Sequence, residues 1–272
     1  MDKKTTLQHE VPNAGQGSPD IEAVLKISID LCYENAQQLI EAVRSRLSRS
    51  PERVTLDLAE VRAMDSSGLR ALIQAGRLCE EAGTVLELGS VSECAARVIR
   101  MSGLGELFGL EQLSVRVEPA QAPAVIHPVF TGWKTYEHVV DSHPSLISVL
   151  REKAAEAAIE AGVDGEVLCD IRIAVGEALT NAYKHGSPNK GEDKISLRCM
   201  TCPEALVVEI RDEGKPFDPS ANCRPDPGKM RDHGMGIFLM KQAMDVVEFR
   251  SNCPGNRVRM IKWLRPDAAD RD

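Results

Sequence analysis

At 272 residues the chain is long enough for two domains of ordinary size, each burying its own core. Its composition, 43% hydrophobic and 27% charged, is that of a soluble globular protein, and the 4% aromatic content supplies few stacking platforms for single-stranded nucleic acid. A formal charge of −8 also works against nonspecific binding to phosphate backbones, so the expected partners are proteins or small ligands, with no direct contact to nucleic acid.

No stretch approaches the length of a membrane span, and Met1 to Asp20 lack the apolar run of a signal peptide. A cytoplasmic protein that does not touch a membrane is expected. The eight cysteines are scattered rather than set in a short secreted framework, which predicts buried, reduced thiols. Cys199 and Cys202 have the spacing of half a zinc site, but no second such pair follows, and a hairpin turn between two strands accounts for them.

In chain order, a polar tail over residues 1–19 gives way at about Asp20 to a strand-like segment, Ile21 to Ile27. Leu39, Ile40, Val43 and Leu47 recur at helical spacing within Asn35 to Leu47, and Val54, Leu56 and Leu58 alternate through a strand at Arg53 to Leu58. After Met64-Asp65-Ser66-Ser67-Gly68-Leu69 a helix runs to about Ala82. Gly83 to Leu88 reads as a strand, Val91 to Met101 as a helix, and Leu107 to Val117 as a weaker strand. Alternation of this kind predicts an α/β layer over 20–117, with helices covering a sheet. An Ala- and Pro-rich linker is expected over 118–127.

The second domain, 128–265, has a different grammar: a strand at Trp133 to Val139, helices at Ser145 to Ala161 and Gly165 to His185, then strands at Ile195 to Met200 and Ala205 to Arg211. The stretch Glu213 to His233, rich in Pro, Gly and Asp, is long for a loop in a compact domain, and loops of this length are often lids over ligands. A helix from Met235 to Met244, a hairpin through Cys253-Pro254-Gly255-Asn256 and a tail at 266–272 complete the chain.

Three elements of this domain carry chemistry. Glu177, Asn181 and His185 share one face of a helix, where a carboxylate can take a proton and an amide oxygen can hold a cation; a solvated stripe on an amphipathic helix has the same spacing. Asp212 ends an alternating strand and is followed by Glu213-Gly214. A carboxylate so placed can accept from an exocyclic amine, while the glycine lets a flat base approach the backbone. Gly234-Met235-Gly236 leads into a helix whose N-terminal N–H groups and dipole suit phosphate oxygens. Each is weak alone, and the order of the three is more specific.

In that order, residues 128–265 resemble the ATP-binding domain of the GHKL superfamily and, more narrowly, the anti-sigma-factor serine kinases of bacteria. The resemblance rests on Glu177 to His185, on Asp212 to Pro219, and on His233 to Gly236 with Met240 and Asp245 behind them. It implies a Bergerat-type α/β sandwich binding ATP and Mg²⁺, with Glu177 as general base, Asn181 as magnesium ligand and Asp212 as adenine reader. His185, Gly214, Gly234, Met235 and Gly236 complete the implied nucleotide site. Residues 20–117 resemble a STAS domain of the anti-sigma-factor antagonist type through Asp65-Ser66-Ser67-Gly68-Leu69, and the resemblance implies that Ser66 accepts a phosphate. Read from the residues alone, Asp65 or Ser66 caps a helix.

The chain departs from the kinase pattern at Pro216, where a second glycine is common, at Asp232, where an arginine is common, and at Asn256, where a threonine is expected. The whole is therefore expected to be an α/β fusion of a substrate-like module with its kinase. Its expected partners are a STAS antagonist domain, on its own or another chain, a sigma factor and a second copy of itself. A sensor histidine kinase would need a two-helix phosphoacceptor segment upstream, which the sequence lacks. A noncatalytic scaffold gated by ATP would have lost the base and metal residues, whereas Glu177 and Asn181 are both present.

Overall fold

The computed structural model describes residues 22–105, 108, 110, 132–216, 235–251 and 255–264. The expected strand at 107–117, the linker at 118–127 and most of the expected lid, with Gly234, lie outside them. The chain divides into two compact units, one up to residue 114 and one from 115 onward.

The N-terminal unit is built on a parallel three-stranded sheet, β1 (Glu22–Lys26), β2 (Arg53–Leu58) and β3 (Val85–Val91), in that order. In β2, Val54, Leu56 and Leu58 are fully buried on one face while Arg53, Thr55 and Asp57 turn outward, as the alternation requires. Parallel neighbours need crossovers, and α1 (Ala36–Leu47) and α2 (Ser66–Glu81) supply them; α3 (Glu93–Met101) follows β3. Asp65 caps α2 by accepting from the Ser67 and Gly68 N–H groups, and Ser92 caps α3 by accepting from Ala95.

β3 starts two residues and ends three residues later than its sequence pattern predicts. Gly83, at φ +69°, turns the chain out of α2, and the β2–β3 pairing shifts register between Leu56 and Leu58, which carries the strand on to Val91.

The C-terminal unit is an antiparallel five-stranded sheet of β4 (Lys134–Asp141), β5 (Lys194–Cys202), β6 (Ala205–Asp212), β7 (Val246–Arg250) and β8 (Asn256–Trp263), in spatial order β4-β5-β6-β8-β7. Helices α4 (Pro144–Glu160), α5 (Gly165–His185) and α6 (Met235–Ala243) pack on one another in sequence and on the sheet, so they cover a single face. α5 lies between the other two and is buried along most of its length, from Cys169 to Tyr183. The sheet residues beneath include Leu206, Val208 and Ile210. In the middle of the sheet the register places Glu137, Arg198, Glu209, Arg259 and Glu248 side by side across all five strands. Opposite charges on adjacent strands of this kind favour the register.

Cys199 and Cys202 are buried, free thiols of β5, and β5 and β6 form a hairpin through Pro203-Glu204. Burial pushes the Cys199 thiol up to about 12, so it stays protonated. Among the described residues no group of three or more His, Cys, Asp or Glu side chains is arranged to hold a metal, and no helix is long and apolar enough to cross a membrane.

Candidate functional site

Residue burial separates the three groups on the polar face of α5. Glu177 is 1% exposed, Asn181 is half-buried and His185 is exposed at the last position of the helix. A solvated stripe would expose all three; here the carboxylate is enclosed. What encloses it includes the first turn of α6. A Cβ added to Gly236 would stand closer than 3.0 Å to Glu177 Oε2, 3.4 Å from its Cδ and 3.6 Å from Asn181 Nδ2. Only a residue without a side chain lets the N-terminus of α6 lie against this carboxylate and amide together. Met235, one residue earlier, starts the helix and is half-buried.

Asp212 ends β6 at the other end of the site. Its Oδ1 accepts from the Gly214 N–H at 2.9 Å, from Asn256 Nδ2 at 2.8 Å and from the Asn256 N–H at 3.3 Å. Burial raises its carboxyl above the usual aspartate value, and these donors pull it back down. Three glycines make the surrounding space. A Cβ on Gly186, the C-cap of α5, would collide with all three carboxylate atoms of Asp212. One on Gly214 would come within 2.5 Å of Gly186 Cα. Gly255, at φ +88°, runs its backbone against the Asp212 carbonyl and Glu213 Cα, a conformation that L side chains rarely adopt.

The C-terminal end of α5 is thus fastened to the end of β6. Nine residues separate Glu177 from Gly186, about 14 Å along the helix axis. Asp212, packed on Gly186, and the buried Glu177 therefore lie toward opposite ends of this stretch of α5. Gly186 was not singled out by sequence. Its only local signal is its place as the glycine after a helix, and its partner Asp212 is distant in the chain.

Behind the site, buried polar ties fix the elements. Lys262 Nζ on β8 donates to Asp170 Oδ2 on α5 at 2.8 Å and to the Ala243 carbonyl at the end of α6 at 2.7 Å. Asp245, one of the residues downstream of Gly236 that carry the resemblance, accepts from the Trp263 N–H at 2.7 Å and ties the exit of α6 to β8.

In the N-terminal unit, Asp65 is 1% exposed and Ser66, the first residue of α2, is 6% exposed, whereas Ser67 is half-buried. Asp65 Oδ1 takes the Ser67 and Gly68 N–H groups and Oδ2 takes the Tyr33 N–H at 3.0 Å. A Cβ on Gly68 would overlap the Leu31 carbonyl oxygen, which explains the glycine of the Asp-Ser-Ser-Gly run. The run is a tight strand-to-helix turn against the Leu31–Tyr33 segment.

Comparison with known proteins divides the chain in the same way. A histidine kinase-like ATPase domain matches residues 140–262, and a STAS domain of the Mlab type matches residues 14–112. A serine-protein kinase RsbW of Bacillus pumilus is 30% identical over 147 residues, 50% of this chain and 90% of that protein. The RsbW of Bacillus subtilis is 29% identical over 50% of this chain and 89% of that protein, and that of Listeria monocytogenes 30% identical over 44% and 82%. A solved structure of the RsbU and RsbW domains of a Mycobacterium tuberculosis protein aligns over 49% of this chain and 33% of that one, at 15% identity and a TM-score of 0.38. By its C-terminal half the chain belongs to the family of RsbW-type serine-protein kinases, within the histidine kinase-like ATPases, and it carries a STAS domain ahead of that half.

Proposed function

We propose that the chain is an ATP-dependent protein serine kinase that phosphorylates a STAS domain, its own or that of another chain, and regulates transcription by partner switching with a sigma factor. The observation that carries this reading is the enclosed Glu177 carboxylate against Gly236 at the N-terminus of α6, with Asp212 about 14 Å away along α5. Its two ends suit the two ends of a nucleoside triphosphate. Asp212 Oδ2 accepts from the exocyclic amine of adenine, and the α6 N-terminus, through Met235 and Gly236, favours the phosphates. Gly234, the residue before Met235 in sequence, is proposed as a further phosphate contact. His185, exposed one turn beyond Asn181, is proposed to contact the nucleotide from the end of α5.

The oxygens at hand suit Mg²⁺, a hard cation that binds few protein ligands beside water and phosphate; Asn181 would hold it. Held there, Mg²⁺ would supply positive charge to the phosphate oxygens. The chain's own part is proton transfer and positioning. A serine Oγ bonds to the γ-phosphorus, its proton passes to the Glu177 carboxylate, and the bond from γ-phosphorus to the bridging oxygen breaks, releasing ADP.

The acceptor proposed is Ser66. Its burial at the first turn of α2 means that this turn must be presented to the kinase site by local opening. A homodimer of the C-terminal unit and a sigma factor as the competing partner complete the proposal, and both rest on the family alone.

The test is transfer of labelled phosphate from Mg·ATP to the purified chain, alone and with Glu177→Gln. Incorporation in the wild type that falls about 10²- to 10⁴-fold in the variant, with ATP affinity retained, is expected. Binding of ATP with no incorporation in either protein would leave an ATP-gated scaffold instead.

A further inference from the structure

Asn256, at the start of β8, is 6% exposed, and its amide group is divided between two tasks. Nδ2 donates to Asp212 Oδ1 at 2.8 Å and also to the Lys215 carbonyl at 3.1 Å. With its backbone N–H it supplies two of the three donors on Asp212 Oδ1, while every donor described for that carboxylate falls on this one oxygen. Its own Oδ1 is buried and has no partner among the described residues. Turning the amide over would set Oδ1 against the carboxylate, so the electrostatics fix the orientation. A threonine hydroxyl has one hydrogen and cannot donate to both acceptors.

Resting on the nucleotide-site reading above, we propose that Asn256 is a positioning residue that holds the Asp212 carboxylate by one oxygen and ties it to the Lys215 backbone, leaving the other oxygen turned to the nucleotide base. It acts through Asp212 and need not touch the nucleotide itself.

The surroundings of Asp212 make this role readable by pH. Among the described residues, the atoms placed on the carboxylate come from Gly186, Gly214 and Asn256, none of which titrates. Of the nearby charged or titratable residues, Glu213 is engaged with the Lys194 N–H, Arg211 pairs with Glu209, Lys215 is exposed, and Lys184 and His185 precede Gly186 on α5, Lys184 half-buried and His185 exposed. Burial raises the Asp212 carboxyl and the Asn256 side-chain donor lowers it, so removing that side chain lets the carboxyl protonate at a higher pH, with the Asn256 backbone N–H still in place. A protonated carboxyl is a poorer acceptor for the base amine. The loss of nucleotide binding therefore grows as pH falls, whereas general damage to the site lowers binding alike at every pH.

The experiment is calorimetric titration of the full-length chain with Mg·ATP from neutral to acid pH, comparing wild type, Asn256→Thr, Asn256→Ala and Asn256→Asp side by side so that titration of ATP itself cancels. Asn256→Ala is expected to weaken binding about 10- to 100-fold, as for loss of a hydrogen bond to a charged group, with a deficit that widens toward acid pH. Asn256→Thr, which keeps one donor, should recover much of the affinity. Asn256→Asp, which sets a second carboxylate beside the first, should be the weakest and most pH-sensitive.

Equal affinity in wild type and Asn256→Ala, or a deficit that does not change with pH, overturns the inference. Should Asn256→Ala fail to fold by circular dichroism, the order of the Thr and Asp variants against wild type decides alone. Absence of ATP binding in the wild type would instead refute the nucleotide site itself.

Discussion

Gly236→Ala separates the proposed chemistry from the fold. The new Cβ falls closer than 3.0 Å to Glu177 Oε2, where ordinary contact begins near 3.4 Å. The obstructing atom is the end of a side chain, but Glu177 is 1% exposed and has little free space, so either the carboxylate leaves its rotamer or α6 moves back. An off-rotamer side chain costs about 0.5–1.5 kcal/mol, and replacing glycine by alanine inside a helix returns up to about 1 kcal/mol, less so near a helix start. The two largely cancel, and global stability should change by no more than about 1 kcal/mol. Catalysis has no such compensation, because misplacing a reacting group by about 1 Å costs about 10²-fold. Gly76→Ala in α2 is the control, since its Cβ meets nothing nearer than Leu86 Cδ2 at 3.8 Å. It should gain about 0.5–1 kcal/mol by the same propensity and leave transfer unchanged. The assay pairs labelled phosphate transfer with thermal denaturation. Full transfer by Gly236→Ala would refute the proposed catalytic role of the Glu177 carboxylate against α6.

Asp212→Asn should abolish ATP binding in calorimetry, and wild type should prefer ATP to GTP because guanine offers a carbonyl where adenine offers the amine. Equal affinity for the two nucleotides would sink the base-reading role. The same variant bears on stability. A carboxyl raised in the folded state favours folding below its unfolded value and gives up that contribution as pH rises through the folded one. At neutral pH Asp212→Asn should therefore melt no lower than wild type, and any advantage should shrink on acidification through the Asp212 titration. Asp170→Ala leaves the half-buried Lys262 ammonium beside the Ala243 carbonyl without its carboxylate and should cost about 2–3 kcal/mol in chemical denaturation. A loss under about 1 kcal/mol would mean the pair is solvated.

Local grammar was legible where period and caps agree. Gly165–His185 and Arg53–Leu58 have the bounds their patterns predict, because each is buried along a regular face and ends at a strong break. β3 was displaced because a register shift opposite Leu56 and Leu58 is a property of the pairing, not of the strand's own residues. The site was legible as three separate signals on α5, β6 and α6. The contact of Gly236 with Glu177 and that of Gly186 with Asp212 were not, since a missing side chain has no periodicity and both contacts join residues far apart in sequence. Asn256 was visible as a departure from the threonine pattern. Its two-way bond to Asp212 and Lys215 needed coordinates. In the N-terminal unit the capping role of Asp65 followed from residue type, whereas the unequal burial of Ser66 and Ser67 depends on how α2 packs against the Leu31–Tyr33 segment.

The central claim is phosphoryl transfer to a STAS serine, and mapping the phosphorylated residue tests it most directly. Wild type, Ser66→Ala and Glu177→Gln chains are incubated with Mg·ATP, separately and mixed, and the peptides spanning the Asp65 to Leu69 turn are sequenced by mass spectrometry. A phosphate at this N-terminal position adds about −1.5 to −2 charges, which the α2 N-terminus tolerates and which Asp65 opposes. The account predicts phosphate on Ser66 in the wild type, none in Ser66→Ala, and none in Glu177→Gln alone; label on Glu177→Gln in the mixture would show transfer between molecules. Phosphate on Ser67 with Ser66 unmodified would reassign the acceptor, and a chain that binds ATP yet leaves both serines unmodified, on itself and on an added STAS domain, would contradict the account.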